Sequence, residues 1–477
     1  MRSGVAQIRK GRGFMYPSRQ TFLVLGLSRS GKAAAEFLLS EKAQVYVYDD
    51  NENERTLTTI KELCEQGAKR AEKEELVRMS EICDVLVISP GIPIDHSVSV
   101  AFKRRGKSVV GETELAARFM RRPVIAVTGT NGKTTTVSML EQVLQKGGFK
   151  ATACGNIGTP MLDVCEEEGI AVAEISSFQL ETLNSFCPHI SLILNVTEDH
   201  LNRHYNMENY VFLKRKLLKN ATESEYAVLN YDDPIVRAFA EETKAQVFWF
   251  SVKERVRGGY YENGDLYFGK EKILSASDLP SEGLHNVQNA LAVIVAAKIM
   301  GIKTADIVSG LTEFKGIKHR IEFVDEVNGI RFIDDSKGTN VDATIKAVES
   351  MKSETVLLLG GKNKGYDYGK LFSTLKGSKV VHAVLYGENR FSLLKSAREQ
   401  EYASFSVCEE MEFAVRIAYV KAKKGQTILL SPASASFDQF TSYEERGDQF
   451  VELVRTFKRE GEERSTRLEE QTEEEIE

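Results

Sequence analysis

The 477-residue sequence contains no apolar run near the ~20 residues needed to span a bilayer, so no membrane insertion is expected. Cysteine is scarce and scattered, at Cys64, Cys83, Cys154, Cys165, Cys187 and Cys408. No pair has CxxC spacing, which argues against a zinc site and a disulfide framework and for a reduced, cytoplasmic compartment. Residues 1–20 are basic but lack the apolar stretch of a secretory signal, and they read as a disordered extension or a start-site artefact. Charge of one sign is also missing as a global feature. The net charge of -6 points to neither nucleic acid nor an anionic membrane surface, so anionic ligands need local basic or backbone sites. From Glu460 onward the chain is almost wholly charged and polar, either continuing the last helix or forming a solvated tail. The expected assembly is a monomer.

What is present is α/β alternation. The length suggests about three domains, and short β-branched runs alternate with helical patterns throughout, as in largely parallel sheets. The first block, residues 21–111, has strands at Thr21–Leu25, Gln44–Tyr48 and Asp84–Ile88. The second, residues 112–316, opens with Pro123–Thr128 and continues through Ala171–Ile175, Ile190–Asn195 and a helical run Asn286–Met300. The third, residues 317–457, has strands at Ile330–Asp334, Glu354–Leu359, Val380–Tyr386 and Gln426–Ser431, with the acidic tail 458–477 beyond.

The second block carries the most specific chemistry. Gly129-Thr130-Asn131-Gly132-Lys133-Thr134-Thr135 lies between an apolar strand and a helix. Backbone N–H groups of such a turn form an anion nest, Lys133 adds a point charge for β/γ-phosphates, and Thr134 is placed to ligate Mg²⁺. The pattern is a variant, because Val127 occupies the first glycine position of the standard phosphate loop. In the first block Gly26-Leu27-Ser28-Arg29-Ser30-Gly31 follows a strand and Asp49 ends the next one. Ser28 replaces the second glycine of a dinucleotide fingerprint, so the expectation is a pocket for some other phosphorylated or nucleotide ligand. Asp49 is placed either to accept from that ligand or to cap the next helix.

Between the phosphate loop and residue 220 lie a polar turn at Gly155-Asn156-Ile157-Gly158, Glu174 at a strand end before Ser176 and Gln179, and Thr197-Glu198-Asp199-His200. A carboxylate at a strand's C-terminal end beside a phosphate loop suits a Mg²⁺ ligand; the plainer reading is a turn cap. His200 by spacing alone is as well explained by ordinary hydrogen bonding. Lys214, Lys216 and Lys219, in a helix expected over Tyr210–Asn220, read from chemistry alone as a solvated basic face.

Asn286 and Asn289, three apart, share a helix face suited to a base edge, or else serve as cap residues. In the third block Arg320 and Lys337 supply positive charge, and Asp335 suits a ribose hydroxyl or metal-bound water. Glycine-rich and small-residue loops follow three strands there, at Asp334–Asn340, Leu359–Gly365 and Ser431–Phe440, and suggest a substrate rim.

GTNGKTT, GNIG, EISSFQLE, NVTEDHL, HNVQNA, HRIEFV, DDSKGTN, LLGGKNKG and SPASASFDQF occur in the order found in Mur ligases, and the chain resembles that family over about residues 21–457. The resemblance is strongest to the branch that adds D-glutamate. It implies three domains: a Rossmann-like uridine-nucleotide domain, a central P-loop ATPase domain with a mostly parallel sheet, and a Rossmann-like C-terminal domain. It also implies ATP cradled by Gly129, Thr130, Asn131, Gly132, Lys133, Thr134 and Thr135, with adenine near Asn286 and Asn289 and completion by Arg320, Asp335 and Lys337. Thr134 and Glu174 would hold one Mg²⁺; His200 and a CO₂-derived carbamate on Lys214 would hold a second. Catalysis is thereby assigned to Lys133, Glu174, His200 and Lys214. The UDP-N-acetylmuramoyl-L-alanine pocket maps to Gly26, Leu27, Ser28 and Asp49, with Asn156, Ser176 and Gln179 nearer the muramoyl and alanyl parts. D-Glutamate would meet Lys337, Thr339, Lys364, Ser436, Phe437 and Tyr443. The competing readings are another Mur ligase, a folate-extending ligase, a non-catalytic nucleotide-binding regulator and a nicotinamide oxidoreductase.

Overall fold

The structure, a computed structural model, describes residues 16–51, 53–280, 283–363 and 365–474. Most of the expected basic extension, and Lys364, lie outside the described residues. The chain divides into two compact units, one ending at Phe314 and one beginning at Lys315.

The first unit holds two sheets. The smaller contains β1 (Thr21–Leu25), β2 (Gln44–Tyr48), β3 (Lys69–Arg70), β4 (Val85–Ile88) and β5 (Ser108–Gly111), in the order β3-β2-β1-β4-β5. All its pairings are parallel. Strands such as Val85–Ile88 are apolar at every position because helices cover both faces. Strand order reverses between β1 and β4, so a crevice opens beyond their C-terminal ends, where Gly26 and Ser89 lie.

The larger sheet contains β6 (Val124–Thr128), β7 (Ala151–Gly155), β8 (Ile170–Glu174), β9 (Ile190–Ile193), β10 (Tyr226–Asn230), β11 (Gln246–Ser251), β12 (Gly258–Glu262), β13 (Asp265–Phe268) and β14 (Glu271–Ser275). Its order is β14-β13-β12-β11-β10-β9-β6-β8-β7. It is parallel except for the β12-β13 and β13-β14 pairings. β6 is flanked by β8 and β9, which places three strand-end loops side by side. The helix Leu284–Ile299 is apolar nearly all round and correspondingly buried. One apolar core runs from the first sheet into the second, and the rings of Phe37 and Phe119 meet edge-on within it, 4.8 Å apart.

The second unit has β15 (Glu322–Val327), β16 (Ile330–Asp334), β17 (Thr355–Gly360), β18 (Val380–Tyr386), β19 (Phe405–Val407) and β20 (Thr427–Leu430). The order is β15-β16-β20-β17-β18-β19, with only the β15-β16 pairing antiparallel. Apolar clusters cover both faces of this sheet. The last helix runs Tyr443–Glu474, so the backbone of the acidic end continues it over the described residues. The three-sheet α/β architecture is the expected one. Among the described residues no helix is long and apolar enough to cross a membrane.

Candidate active site

The Gly129–Thr134 turn is tied to its neighbours by hydrogen bonds. The Thr128 hydroxyl, at the end of β6, donates to the Ile175 carbonyl at 2.8 Å, tying this loop to the one after β8. Asn195, after β9, clamps Asn131 from both sides: its Oδ1 accepts the Asn131 N–H at 2.8 Å and its Nδ2 donates to the Asn131 carbonyl at 3.0 Å. The Thr130 hydroxyl joins the Thr197 carbonyl at 3.0 Å and the Tyr210 hydroxyl at 3.1 Å. Gly132 caps the helix Lys133–Lys146 at φ +86°, left-handed backbone that favours glycine, and a Cβ there would overlap the Asn289 amide oxygen. Thr134 and Thr135 are buried in the first turn of that helix.

Two lysines converge on one carbonyl. Lys133 Nζ donates to the carbonyls of Gly129 at 2.9 Å and Thr130 at 2.8 Å. Lys214 Nζ donates to the same Gly129 oxygen at 2.7 Å and to the Thr128 hydroxyl at 3.3 Å. Lys214 is 1% exposed. Burial first, then the neighbouring Lys133 charge, holds its amine well below the usual lysine range, against the opposing pull of Asp199 and Glu174. The expected solvated basic face is therefore corrected for Lys214 and Lys216, whereas Lys219 is exposed. The helix spans Met207–Arg215 and continues as a tight turn at Lys216–Leu218, and Lys216 donates to the Leu180 and Glu181 carbonyls at 2.6 and 3.0 Å.

Glu174 is 3% exposed at the end of β8. Its Oε1 accepts from Asn156 Nδ2 at 2.8 Å, whereas Oε2 is buried without a hydrogen-bond partner. It caps nothing: Ser176 is the cap of the helix Ser177–Thr182, in a reciprocal box with Gln179. Gln179 also donates to Thr113 Oγ1 at 3.0 Å. His200 has φ +55° and begins the single-turn helix Leu201–His204, with its Nε2 3.6 Å from Asp199 and its ring 4.8 Å from that of Phe178. Asn286 and Asn289 are buried beside one another on their helix, and the helix cap is Gly283.

In the crevice of the first sheet, Gly26 has φ +86° and Gly31 packs so tightly that a Cβ would overlap the Gly26 carbonyl. Asp49 accepts the Leu27 N–H at 2.6 Å and the Asn51 N–H at 2.8 Å. It does not cap the following helix, because Asn53 does. Arg29, beside Ser28, donates to the Asn156 carbonyl at 3.3 Å, which links this loop to the turn that holds Glu174.

The second unit gathers its own strand-end loops. Asp335 is buried next to Gly338 and accepts from Ser431 Oγ at 2.7 Å. Burial pushes its carboxyl up to about 7, in spite of the Arg320 charge beside it. His319 and Ile321 flank Arg320 at φ +64° and +46°, strained backbone for side chains with a Cβ. Lys337 Nζ donates to the Tyr443 hydroxyl at 2.8 Å. The buried Arg446 binds Ser336 Oγ at 2.9 Å, Ser336 O at 2.7 Å and Ser434 O at 3.1 Å, joining the loops after β16 and β20. Asn389 joins the loops after β17 and β20 through Gly361 N at 3.0 Å and Ser434 Oγ at 2.6 Å. Ser436 is buried while Phe437 is 68% exposed, and Thr339 is half-buried. His319, Glu322 and Asp334 bring possible metal-ligand atoms within 4.8 Å of each other, but these bind one another: His319 Nδ1 lies 2.7 Å from Asp334, and Glu322 accepts the His319 N–H at 2.7 Å.

Sequence reasoning left out the residues that hold these loops, among them Asn195, Tyr210, Asn389 and Arg446. Asn195 had a signal, an amide at a strand end inside a quoted motif. Arg446 had none, being one arginine among many on a charged helix.

Comparison with known proteins gives one answer from three directions. Family models match residues 20–111 as the Mur ligase MurD-like N-terminal domain, 127–297 as the Mur ligase middle domain and 319–434 as the Mur ligase glutamate ligase domain. The chain is 41% identical over 450 residues to a protein of Thermoanaerobacter sp. (strain X514) named UDP-N-acetylmuramoylalanine--D-glutamate ligase, covering 92% of this chain and 98% of that one. It is 37% identical over 444 residues to the protein of the same name from Clostridioides difficile (strain 630), with 91% and 98% covered. Among solved structures, UDP-N-acetylmuramate-alanine ligase MurC from Thermotoga maritima shares the fold with a TM-score of 0.58 at 19% identity, over 92% of this chain and 99% of that one. MurF ligase from Thermotoga maritima, solved in complex with ADP, has a TM-score of 0.55 at 16% identity, over 95% and 98%. The chain belongs to the Mur ligase family.

Proposed function

We propose that the chain joins D-glutamate to UDP-N-acetylmuramoyl-L-alanine at the expense of ATP, a step of peptidoglycan precursor synthesis in the cytoplasm. The observation that carries this reading is the 41% identity to a D-glutamate-adding ligase across 98% of that protein's length. The loop after β6 supports it with an anion nest, a lysine and a buried carboxylate within one cluster of strand ends.

A carboxylate does not react with an amine at a useful rate until it is activated. The alanyl carboxylate attacks the γ-phosphate of ATP to give an acyl phosphate and ADP; the D-glutamate amine adds to the acyl carbon, and phosphate leaves. In this scheme the Gly129–Thr134 loop binds the β- and γ-phosphates, with Lys133 turning from its own loop carbonyls to the incoming anion. Motif position assigns Arg320, Asp335 and Lys337 to the same nucleotide, and Thr339, Ser436, Phe437 and Tyr443 to D-glutamate. Gly26, Leu27, Ser28 and Asp49 are assigned to the uridine nucleotide, and Asn156, Ser176 and Gln179 to its sugar and alanyl parts.

Thr134, Glu174 and His200 suit Mg²⁺, and the orphaned Oε2 of Glu174 is the kind of acceptor that a hard cation satisfies. Bound there, Mg²⁺ supplies positive charge against the repulsion between phosphate and carboxylate. Lys214 suits carbamylation. Burial biases this amine towards the neutral form, whose lone pair adds to CO₂; loss of a proton then leaves an anionic oxygen donor.

The test is phosphate release from Mg·ATP and UDP-N-acetylmuramoyl-L-alanine with D-glutamate, L-glutamate, diaminopimelate or lysine supplied in turn. Release that depends on D-glutamate, with the amide product by mass, is expected. Release with another amino acid, or with none from folded ATP-binding protein, overturns the reading.

A further inference from the structure

The segment that carries His200 is a poor structure by itself. It is a single helical turn, Leu201–His204, bounded by His200 at φ +55° and Tyr205 at φ +70°. Neither residue has the freedom of glycine, and one turn has too few internal hydrogen bonds to hold such a backbone. Its shape must be imposed from outside.

Arg203 is the main source of that constraint. Its Nε and Nη2 grip the two oxygens of Glu181 at 2.9 and 2.6 Å, a bidentate pair in which Glu181 is 6% exposed. Glu181 also takes His204, whose Nδ1 lies 3.3 Å away. Burial alone would raise the Glu181 carboxyl, but the hydrogen bonds from His204 and Arg203 outweigh it and hold it below the usual range. The remaining donors of the same guanidinium go to the first sheet: the carbonyls of Pro90, Gly91 and Ile92 accept at 3.4, 3.2 and 2.7 Å. Tyr205 adds a hydroxyl bond to Asp95 in the same loop. That loop follows β4 and lines the crevice where strand order reverses, and its Ser89 hydroxyl holds the Gly26 carbonyl at 2.8 Å. On the other side Phe178 lies against all three members of the segment, with His200 at 4.8 Å, His204 at 5.5 Å and the Arg203 guanidinium at 5.2 Å.

We propose that Arg203 is a positioning residue which, with Glu181 as its anchor, seats His200 for the metal and ties that seat to the nucleotide-crevice loop Pro90–Ile92. The proposal rests on the reading of His200 as a metal ligand. Arg203 itself touches no reacting atom. A lysine in its place supplies one point charge and cannot reach both a carboxylate and three carbonyls.

The experiment compares the full-length wild type with Arg203→Ala, Arg203→Lys, His200→Ala and the Arg203→Ala/His200→Ala double variant. Mn²⁺ binding without nucleotide is read by electron paramagnetic resonance, and kcat and KM by phosphate release. Both Arg203 variants should weaken Mn²⁺ binding by about tenfold or more, the scale on which partners that orient metal ligands act. The kcat should fall by a similar factor with the KM for ATP within about twofold, and the double variant should be no slower than His200→Ala. Mn²⁺ affinity equal to wild type in Arg203→Ala, or losses that multiply in the double variant, overturns the proposal. If Arg203→Ala does not fold, Glu181→Gln replaces it, with the same expected loss and the same overturning result. Should the wild type fail to turn over D-glutamate, the proposed reaction falls, and the Mn²⁺ titration still decides the role of Arg203.

Discussion

Replacing Lys214 by methionine keeps an unbranched, mostly apolar stem at a position that is 1% exposed, removes the nitrogen and puts a thioether sulfur in place of Cδ. The stability change can be worked from the contacts. The variant loses hydrogen bonds to Gly129 O and Thr128 Oγ1, each worth on the order of 1 kcal/mol net. The first loss is softened because Lys133 still donates to the Gly129 carbonyl. Against this, the variant no longer carries the cost of burying an amine that titrates below its unfolded value. The near-isosteric swap adds less than about 1.5 kcal/mol of strain. The terms nearly cancel, so unfolding in urea at pH 7 should place the variant within about 2 kcal/mol of wild type. Linkage fixes the pH trend. The folded amine titrates below the unfolded one, so between those two values the unfolded chain binds more protons and wild-type stability rises with pH. In CO₂-free buffer the stability of the variant relative to wild type should therefore decline as pH rises towards 10. Turnover should meanwhile fall at least about hundredfold, since even residues one step removed from a metal cost 10–100-fold. A variant that turns over within tenfold of wild type refutes the role of the amine. A stability difference that does not decline with pH refutes the account of its burial.

Glu174→Gln should remain folded, with thermal unfolding within a few degrees of wild type, and lose turnover by about hundredfold or more in phosphate release; a near-full rate would remove Glu174 from the metal site. Gly132→Ala places a Cβ on the Asn289 amide at a left-handed position, so it should cost about 1–2 kcal/mol in urea unfolding and weaken ATP by calorimetry several-fold. Asp335 titrates near 7 when folded and near 3.8 unfolded, so it binds more protons folded and wild-type stability falls as pH rises from about 4 to 7. Asp335→Asn should remove that slope, and urea midpoints at pH 5 and pH 8 should lie closer together than in wild type. Lys214→Ala should be inactive and partly restored by millimolar acetate or formate; no restoration with any short carboxylate would count against an anionic oxygen at that position.

These strands were legible because most of their positions are buried and carry β-branched or aromatic residues, so Thr21–Leu25, Gln44–Tyr48, Ile330–Asp334 and Val380–Tyr386 match the expectation end to end. The strands from Gln246 to Ser275 were not anticipated. Residues such as Tyr260, Tyr267 and Lys272 pair at a sheet margin, where aromatic and charged side chains blur the alternation that marks a strand. The loops stood out for a different reason: they carry glycines at positive φ, among them Gly26, Gly129, Gly132, Gly360 and Gly361, beside small polar residues. What sequence cannot display is pairing across the chain. Arg203 and Glu181 meet across 22 residues and Arg446 and Ser336 across 110, and neither pair has a local pattern to announce it. The reading of Lys214 as solvated failed on the same point, since its three-lysine run is indistinguishable in one dimension from an exposed helix face.

The charge around the phosphate loop connects these findings. Lys133 and Lys214 meet at the Gly129 carbonyl, and Glu174 and Asp199 are the acidic groups that act on the buried amine. Two ammonium ions on one buried carbonyl repel strongly at low effective dielectric, and burial decides which gives up its proton. Lys133 is only half-buried, whereas Lys214 is sealed and its amine is the one pushed towards the neutral form. With the Lys214 amine biased towards its neutral form, less positive charge faces Glu174 and Asp199 and the balance shifts towards negative. Converting that amine to a carbamate deepens the excess, and an anionic triphosphate would then be excluded unless divalent cations entered with it. On the proposed carbamate, metal, nucleotide and carbamate would depend on one another in charge, so activity should rise steeply with Mg²⁺ at fixed ATP and bicarbonate should lower the Mg²⁺ needed. A Mg²⁺ requirement unmoved by bicarbonate, in protein first stripped of CO₂, would break that dependence.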